Sequence, residues 1–321
     1  MSFHLTFCFS LLLSCSLLSS CRQPVSAASS ANAKVYPAGS VWVVDKEGYP
    51  GQLYLCGTIH VLRQTDYPLA EGYDYAYQNA QRLLFELPPG ASEAPEFNRR
   101  LMELGRYSDT TTLQAELGPT VWMRVEEWAR TRGKSTTSLQ ALKPWLASLV
   151  ITSEEFQQLG ASNAMGVDQH YEQRAAKDGK PGQGLETVEL QLQLFSGLDR
   201  NQQILMLEQT LEEARTMAEE YDNLVKAWKN GDLELLYSLI NREAEKHPEL
   251  MEIFINKRNR AWIPPLMDFL RNGESVMVLV GAGHLGGPEG LVALMRKQGC
   301  RVRHMKEIIP LNSSNSVATP R

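Results

Sequence analysis

Residues 276–284 read VMVLVGAGH, and this segment is the strongest indication of the architecture of the chain. Its five apolar residues predict a buried strand that stops at Gly281, and His284 follows three residues later. Residues 53–60 read LYLCGTIH, which has the same form and ends on His60. α/β proteins place functional side chains where buried strands end, after small residues that let the backbone turn. The repeated pattern therefore predicts an α/β fold in which two imidazoles meet at one edge of a sheet.

A third short segment adds a carboxylate to the two histidines. Residues 82–89 read RLLFELPP, a predicted strand with Glu86 at its far end and a proline pair that stops it. Histidine and glutamate are common ligands of catalytic divalent ions, and three protein ligands leave a position open for water or substrate. His60, Glu86 and His284 therefore form a candidate metal site. Each also has a structural interpretation, as a hydrogen-bonded histidine or an ion-paired carboxylate at the end of a strand.

The composition is that of an ordinary globular protein, and it argues against two kinds of partner. Hydrophobic residues make up 43% of the 321 residues and charged residues 21%, which supplies enough apolar side chains for a core. The formal charge is -5, and lysine and arginine are scattered, so nucleic acid is not an expected partner. The glycines after His284 lack the lysine and serine or threonine of a phosphate-binding loop, so nucleotide binding is not expected either.

Residues 1–21 have the features of a secretory signal peptide. They contain no Asp, Glu, Lys or Arg, and their apolar centre is too short to span a bilayer comfortably. They end in Leu-Ser-Ser-Cys, which resembles the lipobox of bacterial lipoproteins and predicts an anchor on Cys21 at the periplasmic face of the inner or outer membrane. The usual basic residue near the start is missing. Cleavage after Ala27 would instead give a soluble secreted protein, and a retained buried helix is a third interpretation.

The rest of the chain divides into a tether, one folded domain and a tail. Residues 22–38 are rich in Ser and Ala, which suits a flexible tether, and residues 309–321 are polar and predicted to be disordered. The domain spans residues 39–308 and includes a helical insertion at about residues 92–160. Local patterns predict strands at 41–45, 52–56, 82–86, 275–280 and 301–305, and helices at about 68–80 and 290–298.

Six motifs occur in a characteristic order along the domain. They are GTIHV at 57–61, FELPP at 85–89, GVDQH at 166–170, GLET at 184–187, RNRAW at 258–262 and GAGHLGG at 281–287. The ordered set resembles the TraB/GumN family, whose animal relatives are the Tiki proteins, over about residues 41–305. The resemblance implies an α/β fold with a central mixed sheet, flanking helices and a helical insertion. It also implies the metal-dependent peptidase chemistry of the Tiki branch, with manganese or cobalt; the ligand set alone would also admit zinc.

Two glutamates compete for two roles in such chemistry. Glu86 is a candidate third ligand of the metal, or the base that takes a proton from the bound water. Glu186, in the GLET motif, is the candidate for whichever role Glu86 does not fill.

The remaining motifs supply candidate supporting residues. Asp168 and His170 are candidates to orient a ligand histidine, although Asp168 would equally suit the N-terminal cap of a helix. Arg258 and Asn259 offer donors for a developing oxyanion or a substrate carboxylate. The alternative interpretation is that Arg258 and Asn259 are polar groups on the surface of a helix.

The leading functional hypothesis is a lipid-anchored, extracytoplasmic metallohydrolase that acts on peptides or proteins. One alternative is a lipoprotein that sequesters a peptide without cleaving it. The other is an esterase, because the resemblance extends distantly to erythromycin esterase-like proteins of related fold. The sequence alone does not decide among the three.

Overall fold

The computed structural model describes residues 38–241 and 247–308. The predicted signal peptide at residues 1–21, with Cys21, lies outside the described residues, as do nearly all of the tether and the tail at residues 309–321. Within the described part of the chain, no helix is both long enough and apolar enough to cross a membrane.

A six-stranded mixed sheet forms the centre of the fold. The strands of the described residues are β1 (Val41–Asp45), β2 (Gln52–Thr58), β3 (Leu62–Arg63), β4 (Arg82–Phe85), β5 (Ala161–Ser162), β6 (Gly182–Gly184), β7 (Ser275–Gly281) and β8 (Arg301–His304). In the main sheet their order is β6-β4-β7-β2-β1-β8, and the strands from β6 to β2 run parallel. β1 and β8 add antiparallel pairs at the other edge, and β3 pairs separately with β5.

The pairing of β2 with β7 brings the two glycine and histidine segments together. These strands come from opposite ends of the domain and run parallel, with Thr58 beside Gly281. β4 is the other neighbour of β7, with Leu84 beside Val278. Because the three strands run the same way, the residues that follow them leave the sheet at the same edge, where α/β proteins bind ligands. Both histidines and the glutamate of the candidate site are among those residues.

Helices cover both faces of the sheet. They are α1 (Glu71–Asn79), α2 (Pro95–Gly105), α3 (Leu113–Thr131), α4 (Pro144–Gln158), α5 (Val167–Asp178), α6 (Val188–Ser196), α7 (Arg200–Glu213), α8 (Met217–Asn230), α9 (Leu233–Asn241), α10 (Pro248–Met251), α11 (Lys257–Arg271) and α12 (Leu291–Lys297). Alternate residues of β7 face opposite sides. Val276 and Val278 pack in a cluster with α11 and α12, whereas Met277 and Leu279 pack in the larger cluster of the other helices. The predicted α/β fold with a central mixed sheet and flanking helices is confirmed.

Some local features differ from the sequence predictions. Helices α2, α3 and α4 occupy the region of the predicted insertion at about residues 92–160, and α1 begins at Glu71 instead of Pro68. No pattern in the sequence predicts β6, because its Gly-Gln-Gly sequence carries no apolar side chain. A Cβ at Gly184 would lie 2.5 Å from Pro88 Cδ, so glycine is what allows this edge strand to approach the loop after β4.

Candidate active site

Three side chains from the ends of β2, β4 and β7 meet in the interior of the protein. His60 is 3% exposed, Glu86 4% and His284 2%. Glu86 Oε1 lies 3.9 Å from His60 Nε2 and 3.8 Å from His284 Nε2. The structure thus places together the three residues that the sequence suggests as metal ligands.

Arg258 supplies a positive charge beside this group. It lies in the first turn of α11, directly after a π-helical turn at Glu252–Asn256, a feature that often marks functional sites. Its guanidinium donates to Glu86 Oε2 at 2.6 Å and to the two oxygens of Glu186 at 2.8 and 2.9 Å. Arg258 is only 6% exposed, so the alternative of an arginine on the helix surface is wrong. Both glutamates are bound to this one buried cation.

Burial and the positive charge of Arg258 act in opposite directions on Glu86. Burial alone would raise the pKa of Glu86, but Arg258, His284 and His60 hold it well below its usual range. The backbone N–H of Gly281, which donates to Glu86 Oε1 at 2.7 Å, acts in the same direction. Burial, as the larger cause, and the charge of Arg258 together lower the pKa of His284 to about 3. At neutral pH the cluster therefore contains an ionised Glu86 and a neutral His284, the form in which histidine binds metals.

Asn259 fixes the tautomer of His284. The amide nitrogen of Asn259 donates to the carbonyl oxygens of His284, at 3.1 Å, and Glu289, at 2.8 Å. Its Oδ1 must then accept a hydrogen bond, and His284 Nδ1 donates it at 2.7 Å. The lone pair of His284 is therefore on Nε2, which accepts a hydrogen bond from Arg258 Nη1 at 3.1 Å. Asn259 is fully buried and serves to orient an imidazole, so it is not a surface group either.

Asp168 orients the other imidazole. Its Oδ2 lies 2.6 Å from His60 Nδ1, and its Oδ1 accepts a hydrogen bond from Thr58 Oγ1 at 3.1 Å. Burial lowers the pKa of His60, but the adjacent Asp168 carboxylate outweighs it, and the net pKa is raised. The N-terminal cap of α5 is Gly166, without a side-chain bond, so the capping alternative for Asp168 is wrong.

His170, the other candidate partner from the same motif, lies elsewhere. Its ring is 5.9 Å from that of Tyr67 and 4.9 Å from that of Tyr171. Burial and the charge of Arg174 lower its pKa. His170 faces these aromatic rings, and Asp168 alone of the two contacts a candidate ligand histidine.

Glu172, one turn after Asp168 on α5, allows a test of the electrostatics near the site. Burial raises the pKa of Glu172 to about 7; the N–H of Gly90, at 3.0 Å, opposes the rise and Asp168 adds to it. A folded-state pKa above the unfolded value contributes stability below about pH 4.5, and this contribution is lost as the pH rises through about 7. Glu172→Gln is therefore expected to be more stable than the wild type by about 1–2 kcal/mol at about pH 8, but not at about pH 5. Urea unfolding at both pH values measures this, and an equal difference at both would contradict it.

Two further residues complete the cluster, and sequence reasoning did not single them out. The fully buried Gln191, on α6, donates through Nε2 to Glu86 Oε2 and to Glu186 Oε2, both at 3.3 Å. Trp262 Nε1 donates to Glu186 Oε1 at 3.0 Å, and its ring lies 4.5 Å from that of His284. Trp262 falls within the RNRAW motif, so the ordered motifs are a signal that identifies it. Nothing in the local sequence distinguishes Gln191 from the neighbouring glutamine of its helix.

The space next to Gly281 tests whether these residues suit a divalent cation. A Cβ on Gly281 would lie 3.3 Å from Glu86 Oε1, 3.5 Å from His60 Nε2 and 3.7 Å from a ring carbon of His284, so glycine leaves this shared space open. Two imidazole nitrogens and a carboxylate oxygen are a suitable donor set. As the side chains stand, no group of three or more His, Cys, Asp or Glu residues within 38–241 and 247–308 is arranged to hold a metal ion. The donor types and the open space suit a divalent cation. The hydrogen bond from Arg258 to His284 Nε2 opposes its binding, because it occupies the lone pair that a metal would need.

The profile of a known protein family matches the chain over residues 40–304, which includes all eight strands. The chain belongs to the TraB/PrgY/gumN family. This confirms the resemblance inferred from the ordered motifs. No curated protein and no solved structure matches the chain. Every residue of the buried cluster lies inside the range that matches the TraB/PrgY/gumN family, so the candidate site is part of the family domain.

Proposed function

We propose that this TraB/PrgY/gumN protein is a divalent-metal-dependent hydrolase that cleaves peptide bonds. The observation that carries the proposal is the way in which the two imidazoles are held. The Nδ1 atom of His60 contacts Asp168 and that of His284 contacts Asn259, while both Nε2 atoms lie within 4 Å of one oxygen of Glu86. Metal-binding histidines are typically oriented by a carboxylate or carbonyl group at their other ring nitrogen.

The two glutamates take different roles in this proposal. Glu86 would hold the metal together with His60 and His284, because it alone lies beside both imidazoles. Bound there, manganese, cobalt or zinc would acidify a water molecule and polarise the substrate carbonyl. Glu186 borders an adjacent pocket together with Arg258, so it would take the proton from the attacking water. Arg258 would stabilise the negative charge that develops on the carbonyl oxygen.

The pocket beside Glu186 and Arg258 supports access by a substrate. It has a volume of about 410 Å³ and lies between α6 and the start of α11. Leu190, Leu194 and Ile253 contribute apolar lining, and Leu190 is 54% exposed. A mainly apolar pocket with a few charged groups in its lining is typical of ligand-binding sites. It would place the bond to be cleaved next to the charged cluster.

Metal content and a peptide-library digest test the proposed function. The purified protein should retain or take up manganese, cobalt or zinc, and it should cleave members of a peptide library. A chelator should abolish the cleavage, and added metal should restore it. A protein that binds no divalent metal and leaves all peptides intact would contradict the proposal.

Peptide sequestration without cleavage is the second candidate function. It is favoured by the hydrogen bond from Arg258 Nη1 to His284 Nε2, which occupies the lone pair that a metal requires. In this case, peptides would bind in the pocket beside Glu186, with or without metal, and would be recovered intact. Recovery of intact peptides from the same digest distinguishes the two candidates. An esterase would instead hydrolyse ester substrates and leave the peptides unchanged.

Gly281→Ala tests whether the open space at the end of β7 is needed. The φ of Gly281 is -48°, outside the left-handed region that favours glycine, so we expect the circular dichroism spectrum to be unchanged. The added Cβ would fill the space between Glu86 and the two histidines, so metal affinity should fall by at least ~10-fold and cleavage should be lost. Titration with Co²⁺ measures the affinity. Unchanged affinity would show that the metal, if any, binds elsewhere.

We also propose that Cys21 anchors the protein to a bacterial membrane on its extracytoplasmic side. The support is the lipobox-like end of the apolar leader. In a bacterial host, the wild type should incorporate labelled palmitate and sediment with membranes, whereas Cys21→Ser should do neither. An unlabelled wild-type protein whose mature chain starts after Ala27 would show that it is a secreted soluble protein instead.

A further inference from the structure

The lone pair that a metal would need on His284 is already engaged. His284 Nδ1 donates its hydrogen to Asn259, so Nε2 is the only ring nitrogen with a lone pair, and Arg258 Nη1 donates to it at 3.1 Å. A hydrogen bond and a coordinate bond cannot use the same lone pair. A divalent cation at His284 therefore requires Arg258 to release Nε2.

Arg258 can release His284 and remain bound in the protein. Its Nε and Nη2 atoms donate to Glu186, Nη1 also donates to the Phe254 carbonyl oxygen at 3.0 Å, and the guanidinium lies 4.9 Å from the Trp262 ring. These contacts do not involve His284. A small rotation of the guanidinium would break one hydrogen bond to His284 and keep the ion pair with Glu186.

Charge adds to this competition. Arg258 neutralises Glu86 through a 2.6 Å hydrogen bond, and both residues are buried. A divalent cation next to Glu86 would repel the guanidinium, and like charges a few ångströms apart interact strongly where water is scarce. Arg258 thus opposes the cation in two ways: it occupies the lone pair of His284 Nε2, and its charge repels a cation beside Glu86.

We propose that Arg258 is an internal competitor of the metal, so that a divalent cation binds only after Arg258 has withdrawn from His284 Nε2. This inference rests on the metal site of the proposed function. Its consequence is a weakly held, exchangeable cation, in contrast to the tight binding expected when all ligand lone pairs are available.

Cobalt titration of the full chain tests the competition, because Co²⁺ bound by histidine absorbs visible light and the readout needs no substrate. Arg258→Lys keeps the positive charge beside Glu86 and Glu186 but cannot reproduce the planar fork that reaches both Glu186 and His284. Arg258→Gln removes the charge as well. We expect both variants to bind Co²⁺ at least ~10-fold more tightly than the wild type, because only the wild type must first break the hydrogen bond from Arg258 to His284 Nε2. If Arg258→Gln does not fold without metal, Arg258→Lys carries the test.

Arg260→Lys is the matched control. Arg260 lies two residues away on the same helix, is exposed, and pairs with Glu252 and Glu289 outside the cluster, so its replacement should leave Co²⁺ affinity unchanged. A wild type that binds Co²⁺ as tightly as Arg258→Lys would overturn the competition and leave the metal site standing. The lack of any histidine-type Co²⁺ spectrum in the wild type and both Arg258 variants would overturn the metal site itself.

Discussion

Arg258→Met is expected to lower the free energy of unfolding by about 3–5 kcal/mol. The substitution removes the only cation that donates to both Glu86 and Glu186 among the described residues, and it leaves the buried Glu86 and the partly buried Glu186 without their strongest partner. Removing one member of a buried ion pair is far more destabilising than removing an exposed one, because the remaining charge stays desolvated. Urea unfolding of the full chain, with chelator present, measures the change.

Two further variants separate this effect from a general loss of packing. The double variant Arg258→Met/Glu186→Gln should regain part of the stability that Arg258→Met loses, because it contains one unpaired charge fewer. The coupling energy between the two substitutions should be at least about 1 kcal/mol. Arg260→Met, in the exposed position two residues away, should change stability by no more than about 0.5 kcal/mol. A loss of less than about 1 kcal/mol in Arg258→Met would mean that water or a rearranged partner already compensates the carboxylates.

Glu186→Gln is expected to lower peptide turnover by ~10²- to 10⁴-fold, the usual contribution of a general base, while metal affinity stays nearly unchanged. Glu186 borders the pocket, whereas Glu86 does not line it and lies within 4 Å of both imidazoles. Glutamine keeps an oxygen that can accept from Arg258 but cannot take a proton from water. Single-turnover kinetics at saturating metal measures the effect.

Asp168→Asn is the matched comparison for Glu186→Gln. It weakens the contact that orients His60, so metal affinity should fall by ~10- to 100-fold, and turnover should recover at high metal concentration.

If Glu186→Gln lost metal and Glu86→Gln kept it, the roles of the two glutamates would be exchanged. Normal turnover in both glutamate variants would remove carboxylate catalysis from the proposal.

Most strands of the main sheet and the three central residues could be predicted because their signals are local. An apolar run that ends in a glycine, with a histidine three residues later, predicts β2 and β7 from their own residues. The pairing of these two strands is not local: they are adjacent in the sheet although more than 200 residues separate Thr58 from Gly281. The ordered family motifs supplied the missing long-range information, because they tie His60, Glu86 and His284 to one domain.

The burial of Arg258 could not be predicted from its own helix. A short run of polar residues at the start of a helix is normally solvated, and the sequence around Arg258 does not contain its partners. Those partners, Glu86, Glu186 and His284, come from three other parts of the chain, and together they offset the desolvation of the guanidinium. The burial of Gln191 could not be predicted either, because it depends on Glu86, which lies 105 positions away in the sequence. A buried polar residue is recognised by what surrounds it, and the surroundings are set by the fold.

Hydrolysis in water enriched in ¹⁸O shows directly whether the buried cluster cleaves peptide bonds. The full chain with Mn²⁺ or Co²⁺ is incubated with a peptide library, and the products are analysed by mass spectrometry beside those of His60→Ala. We expect the wild type to release new peptides whose fresh carboxyl groups carry ¹⁸O, and His60→Ala to release none. Intact, unlabelled peptides with the metal-loaded wild type, or equal labelling by His60→Ala, would contradict it.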